Sequence, residues 1–205
     1  DGIPMDRLDP ARTALVVVHM AKAVAGDVDT PFSRLFRQRA ETAGIIGVQQ
    51  RLLDGFRAAG AKVVYTLVAY KPGYPGITPS SPLLGTLIDS STLLENTPAT
   101  EVIDEITPQD MDPVIRGQGI SGFEGTSLDT ILRVAGVDNL VFAGIATDVA
   151  VESTARAACD LQYRTVVVSD ACVTDTDEAH ANSLAAIKKW FGETLAASEV
   201  LGALK

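Results

Sequence analysis

Side chains able to perform acid–base or nucleophilic chemistry are few in this chain of 205 residues, and they stand where predicted strands end. His19 directly follows the apolar run Thr13–Val18, and Cys172 follows Asp170 after a β-branched run. An imidazole that titrates near neutrality can exchange protons with a substrate, and a thiolate can attack a carbonyl carbon. His19 is therefore the main catalytic candidate. The alternative is a structural histidine that donates to a backbone carbonyl and holds a loop.

A strand-to-helix turn lies within the segment Asn139–Asp160 (NLVFAGIATDVAVESTARAACD). Its apolar run breaks at Gly144 and resumes as a helix of small residues from about Thr147. The N–H groups at the start of such a helix carry partial positive charge, and ligands of α/β sheets bind at strand carboxyl ends. We expect the binding site here. The alternative is that Gly144 and its neighbours serve only close helix–strand packing.

The composition of the chain excludes several classes of function. Lys and Arg number 17 against 26 Asp and Glu, and the net charge of −9 disfavours a nucleic-acid partner or an anionic membrane. No secretory signal or run of membrane-spanning length is visible. The two cysteines and two histidines lack metal-ligand spacing, so neither a metal nor another cofactor is predicted. We expect a soluble cytoplasmic protein.

Apolar, β-branched runs alternate with segments of helical periodicity along the chain. The predicted strands are 13–18, 62–69, 112–115, 140–143 and 163–168, and the predicted helices are 44–59, 126–135, one from about 147, and 177–190. This alternation is typical of a mostly parallel sheet with helices on both faces. The sequence therefore predicts a single α/β domain over residues 1–205 with three layers, α/β/α.

Three remaining segments have no clear periodicity. Residues 1–12, which include Pro4, are predicted as a polar lead-in. Residues 20–42 carry possible lid or pocket residues, namely Phe32, Leu35 and Phe36. Residues 70–94, rich in Pro, Gly and Ser, are predicted as a long loop, and a loop of that length in a compact domain is usually functional or disordered.

Several segments together resemble a known family. They read TALVVVHM, VVYTLVAYKPGYPGI, SGFEGTSLDTILRVAGVDNLVFAGIATDVAVESTARAA and YRTVVVSDACVTDTDEAH. With them the chain resembles the isochorismatase-like cysteine hydrolases, a superfamily that includes isochorismatases, nicotinamidases and N-carbamoylsarcosine amidases. The resemblance implies a six-stranded parallel sheet between helices, a small-molecule substrate, and assembly as a dimer or tetramer.

The catalytic positions of that superfamily are all altered here. The family Asp after the first strand corresponds to His19, the family Lys six residues before Phe123 corresponds to Gly117, and the family nucleophile Cys corresponds to Ala150. A methyl group cannot attack a carbonyl, so no covalent intermediate forms at Ala150. An engineered Cys-to-Ala change would explain Ala150 but not the other two differences.

Other site residues follow from the same resemblance. It implies that the N–H groups of Ala146 and Ala150 hold a substrate oxygen, beside a cis peptide between Ile145 and Ala146. Gly117, Phe123 and Tyr70 follow strand ends or match family positions, and they are expected at the substrate. Cys159 is expected to be a packing residue, Cys172 matches no family catalytic position, and His180 is expected to be structural.

Three functional hypotheses follow. The chain acts by altered, non-cysteine chemistry on a small carbonyl- or carboxylate-bearing substrate, with His19 as acid or base. Alternatively, it is a catalytically inactive relative that binds a small molecule, or a subunit that assembles with an active relative. An open apolar cavity containing His19 favours the first two hypotheses, and a cleft filled by side chains favours the third.

Overall fold

The computed structural model describes residues 7–205, and Pro4 with the rest of residues 1–6 lies outside that range. Six strands form one sheet, in the spatial order β3-β2-β1-β4-β5-β6, and every neighbouring pair is parallel. The strands are β1 Thr13–Val18, β2 Lys62–Val68, β3 Val114–Gly117, β4 Asn139–Ile145, β5 Arg164–Val173 and β6 Glu193–Leu195.

Helices cover both faces of this sheet. They are α1 Lys22–Ala25, α2 Pro31–Ala43, α3 Ile45–Ala58, α4 Pro82–Asp89, α5 Leu128–Val134, α6 Glu152–Asp160, α7 Asp177–Trp190 and α8 Ala197–Ala203. Short 3₁₀ turns lie at Pro10–Arg12, Pro98–Thr100 and Asp104–Ile106, and a π-helical turn, Thr147–Val151, leads into α6. No helix within residues 7–205 combines the length and apolar composition needed to cross a membrane.

Strand β1 is buried on both faces because all of its residues are apolar or β-branched. Leu15 and Val17 pack with Leu52 of α3 on one face, and Val16 packs with Leu132 of α5 on the other. This double burial is what a parallel central strand requires. It confirms the prediction that the run after residue 12 is a central strand.

The order of the strands reverses beside β1. From β1 the chain moves outward through β2 and β3, then returns to place β4 on the other side of β1. Two helical layers diverge at such a reversal, which leaves a crevice at the carboxyl ends of the two strands. The strands end at Val18 and Ile145, so His19 and the turn after β4 both lie at this crevice.

Gly144 permits the close approach of β1 and β4. Its φ is +142°, and a Cβ built on it would lie 2.1 Å from the carbonyl oxygen of Val18. A side chain cannot occupy that space, and L-residues rarely adopt that φ. Gly144 is therefore a requirement of the strand pairing beside the site.

The structure corrects several sequence predictions. The sheet is entirely parallel, and its sixth strand β6 and the helix α8 were not predicted from the residues. The predicted loop 70–94 contains α4, capped by Ser81, whose hydroxyl accepts a hydrogen bond from Leu84 N–H at 3.3 Å. Strand β3 lies two residues later than expected, and β5 continues past residue 168 to Val173.

Candidate functional site

A cavity of about 280 Å³ opens where the strand order reverses, and we call it the switch-point cavity. Its apolar walls come from both flanking layers: Phe32, Leu35 and Phe36 of α2, and Leu83 and Leu87 of α4. His19, Ala146 and Ala150 line the same cavity. The fold thus brings the predicted acid–base residue and the predicted oxyanion turn to one apolar pocket.

His19 is buried at this pocket and has an unusual backbone conformation. Its φ is +52°, and its N–H donates to the carbonyl of Thr66 at 2.9 Å, which fixes the backbone beyond β1. No hydrogen-bond partner of the imidazole is found within residues 7–205. Burial lowers the pKa of His19 to about 4, because a buried charge loses its hydration. The imidazole is therefore neutral at pH 7, and the expected titration near neutrality is wrong.

The turn after β4 has one feature that the family resemblance implied. The peptide between Ile145 and Ala146 is cis. The carbonyl of Ala146 accepts hydrogen bonds from the N–H groups of Val149 at 3.2 Å and Val151 at 3.0 Å. The N–H of Ala146 has no protein acceptor within the described residues. At least one backbone donor, the N–H of Ala146, is therefore available to a ligand beside the methyl group of Ala150.

Helix α7 holds this turn in place. Thr147 Oγ1 lies 2.9 Å from Nδ1 of His180, and Ser183 Oγ donates to the carbonyl of Thr147 at 3.2 Å. His180 thus contacts the turn from behind rather than lining the switch-point cavity. Burial lowers its pKa, which favours the neutral imidazole in this contact.

The remaining predicted site residues separate into two groups. Tyr70 lines the switch-point cavity, and its hydroxyl donates to the carbonyl of Gln118 at 2.9 Å. Gly117 and Phe123 do not line it. Phe123 packs against Tyr163 with a ring-centroid separation of 5.9 Å. Both belong to the core cluster on the face of β1 that carries Val16.

The position of Gly117 is closed to a side chain. A Cβ built on this residue would lie 2.6 Å from the Cγ2 methyl of Thr126. The Thr126 hydroxyl is itself held, because it donates to the carbonyl of Gly122 at 2.7 Å. Glycine thus stands at the position of the family lysine, and the methyl group of Thr126 occupies the space that a Cβ would need.

The cavity mouth carries polar residues that the sequence analysis missed. Asp148 and Asp175 are exposed there, and the buried Thr174 donates through Oγ1 to Oδ1 of Asp148 at 2.6 Å. Because the predicted strand ended at residue 168, Thr174 and Asp175 were not recognised as strand-end residues. The segment SDACVTD places polar residues after the β-branched run, and this pattern indicates residues at the end of a strand.

Neither cysteine lies in the switch-point cavity. Cys172 is buried on β5, and its burial raises the pKa of its thiol to about 12. Cys159 is half-buried on α6. Within residues 7–205, no group of three or more His, Cys, Asp or Glu is placed to hold a metal ion.

We expect iodoacetamide to alkylate Cys172 at least about tenfold more slowly than Cys159 in the native protein at pH 7.5, since only the thiolate reacts and the Cys172 thiol is buried and protonated. Peptide mass mapping of quenched time points measures both rates. In denaturant the two rates should converge, which serves as the control. Equal rates in the native protein would show that Cys172 is an accessible, activated thiol.

Comparison with known proteins identifies the family of this chain. A family model described as "Isochorismatase domain" matches residues 13–199. The chain belongs to the isochorismatase family. Ureidoacrylate amidohydrolase RutB of Acinetobacter baylyi is 34% identical over 202 residues, which cover 91% of this chain and 81% of the relative. The uncharacterized isochorismatase family protein YwoC of Bacillus subtilis is 30% identical, with 97% of both chains covered.

Solved structures of isochorismatase-family and related hydrolases share the fold. A cysteine hydrolase from Pseudomonas syringae pv. phaseolicola superposes with a TM-score of 0.83 at 29% identity, covering 95% of this chain and 92% of that chain. N-carbamoylsarcosine amidase from Thermoplasma acidophilum gives a TM-score of 0.71 at 30% identity, covering 91% of this chain and 96% of that chain. The predicted family and its α/β fold are thereby confirmed.

Proposed function

We propose that this isochorismatase-family protein acts on a small carbonyl-bearing substrate without a covalent thiol intermediate. The observation that carries the proposal is the unpartnered, neutral imidazole of His19 in the same apolar cavity as the free N–H of Ala146. His19 accepts or donates a proton at the substrate. The N–H groups of Ala146 and Ala150 stabilise negative charge that develops on the carbonyl oxygen.

Hydrolysis by this site needs only water as the second reactant. The imidazole of His19 removes a proton from water as the water oxygen bonds to the carbonyl carbon, and the electron pair of the C=O bond moves to the oxygen held by the backbone donors. When the carbonyl re-forms, the leaving group departs and takes the proton from His19. Each turnover consumes one water molecule, and the imidazole returns to its neutral state.

A second candidate function is binding without turnover. It is favoured by the methyl group of Ala150 at the nucleophile position and by the Thr126 methyl group, which occupies the place of a Cβ at Gly117. A His19 of low pKa is a weak base in the free protein, and this also favours a binding role. In either case the cavity takes a small molecule. Assembly as a dimer or tetramer and a cytoplasmic location stay predictions from the sequence and the resemblance.

Replacing His19 tests the first function against the second. We expect His19→Ala to lower kcat on an amide or ester substrate by roughly 10²–10⁴-fold, as loss of a general base does. Because the active form is the neutral imidazole, wild-type kcat/KM should rise as pH increases through about 4 and stay level through neutrality. Steady-state kinetics between pH 4 and 8 measure both effects, with far-ultraviolet circular dichroism as the folding control.

Two results would count against a catalytic His19. One is turnover by His19→Ala within a few fold of the wild type, which would make the residue structural. The other is a kcat/KM profile governed by an ionisation near pH 7, which would conflict with a buried, neutral imidazole.

A further inference from the structure

The charged side chains that line the switch-point cavity are both acidic, while Arg39 lies behind the lining, where it donates to the carbonyl of Thr174 at 3.1 Å and pairs with Asp177. Among the described residues that line it there is no Lys and no Arg, whereas Asp148 and Asp175 are exposed at its mouth. The other titratable groups that face the cavity are His19, which is uncharged, and Tyr70, whose pKa is raised by burial. A carboxylate entering this cavity would meet negative charge at the mouth and no cation inside.

The apolar walls of the cavity also disfavour a carboxylate. A carboxylate that leaves water for a cavity lined by Phe32, Phe36 and Leu87 loses its hydration, and without a cation the backbone N–H of Ala146 compensates for only part of that loss. A neutral carbonyl group loses much less hydration free energy when it enters the same cavity. Its oxygen can accept from the free N–H of Ala146, and the His19 imidazole can donate to or accept from the rest of the polar group.

The positive end of the helical segment 147–160 is the feature that could favour an anion. Asp148, however, lies in the first turn of that segment and already supplies negative charge there. Its Oδ1 is held by the hydroxyl of Thr174 at 2.6 Å, which fixes the carboxylate beside the cavity. The partial charge of the helix terminus is thus offset by a full charge from its own first turn.

Apolar surface continues outward from the cavity. Leu35, Ile120 and Val149 belong to its lining yet remain 49%, 39% and 37% exposed. Large apolar side chains that are exposed together around a cavity mouth are typical of a ligand-binding surface. A ligand with an apolar body that reaches from the cavity to this rim would cover them.

We propose that the switch-point cavity selects neutral carbonyl compounds with an apolar body, such as aryl-alkyl or alkyl amides and esters, and rejects the corresponding carboxylates. This inference rests on the proposed function and narrows its substrate class. It sets this chain apart from the relatives named ureidoacrylate amidohydrolases, whose name denotes a carboxylate substrate. The product of hydrolysis, a carboxylate, would be expelled by the same charges that exclude it as a ligand.

The test compares a matched pair of probes, 4-phenylbutanamide and 4-phenylbutanoate, which differ in charge but hardly in shape. Calorimetric or NMR titration at pH 7.5 gives the dissociation constants for the wild type. We expect the amide to bind at least about tenfold more tightly than the carboxylate. The double variant Asp148→Asn/Asp175→Asn should reduce this ratio by several fold, with the amide as the internal reference.

A control variant carries the same change in net charge away from the cavity. Asp54→Asn/Asp160→Asn removes two exposed carboxylates that do not line it, and the ratio should stay at the wild-type value. Equal binding of the two probes to the wild type, or an equal shift of the ratio in both double variants, would overturn the inference. An amide that binds selectively but is not hydrolysed would count against the proposed catalysis and support the selectivity. Failure of both probes to bind would overturn both proposals.

Discussion

Ala150→Cys alone, which restores the family's nucleophile, should give an almost unreactive thiol. Restoring the family's Asp and Lys at positions 19 and 117 as well should give a reactive one. Ala150 is 4% exposed and lines an apolar cavity, so the thiol of Ala150→Cys would be buried there, which disfavours the thiolate. Adding His19→Asp supplies the missing acid, and Gly117→Lys supplies a cation whose long side chain must extend from the end of β3 to the cavity. The structure adds a further requirement, because a side chain at position 117 meets the methyl group of Thr126 at 2.6 Å. Thr126→Ser removes that methyl and keeps the hydroxyl that bonds to Gly122.

We therefore expect the four-residue variant to react with iodoacetamide at least about tenfold faster at pH 7 than the single Ala150→Cys variant. Both are made in a background with Cys159→Ser and Cys172→Ala, so that one thiol is present. Thr126→Ser alone is the stability control. A single variant that reacts as fast as the four-residue variant would show that the turn itself activates a thiol. Groups that act as a unit are not additive, which is why intermediate variants are less informative.

Gly144→Ala should produce the largest loss of stability of any alanine substitution at a glycine beside the site. The new Cβ would lie 2.1 Å from the carbonyl oxygen of Val18, on the strand that pairs with it, and the φ of +142° is unfavourable for alanine. We expect the free energy of unfolding to fall by about 3 kcal/mol or more, from steric overlap together with backbone strain.

Urea denaturation followed by circular dichroism measures this loss. Gly85→Ala is the matched control: Gly85 lies within α4, and a Cβ on it meets nothing within 4 Å. That substitution should be neutral or stabilising by up to about 1 kcal/mol, because alanine favours the helix. A Gly144→Ala variant as stable as the Gly85→Ala variant would contradict the close approach of β1 and β4.

The sequence was sufficient to predict the elements at the centre of the molecule. Strands β1 and β4 are buried on both faces, so their uninterrupted apolar runs identify them, and α3 has an apolar stripe that ends near Gly60. Elements at the periphery carry weaker signals. Strand β6 has only three residues, and α4 is a short helix within a segment rich in Pro, Gly and Ser.

The candidate site was predicted only in part, for reasons that depend on three-dimensional packing. His19 and the turn after β4 were identified because they follow central strands. The burial that lowers the pKa of His19 comes from residues far away in the chain and has no local signal. Gly117 is the last residue of the edge strand β3, so its strand-end position does not bring it to the crevice beside β1. Leu83 and Leu87 were missed as cavity residues because α4 itself was not predicted.

The most direct test of non-covalent chemistry measures turnover by a protein without cysteines. A panel of neutral amides and esters is assayed with the wild type, with Cys159→Ser/Cys172→Ala, and with His19→Ala in that background. We predict that the cysteine-free protein retains the wild-type kcat/KM within about twofold, and that the added His19→Ala lowers it by roughly 10²–10⁴-fold. Loss of activity on removal of the cysteines, with His19→Ala having little effect, would contradict the account.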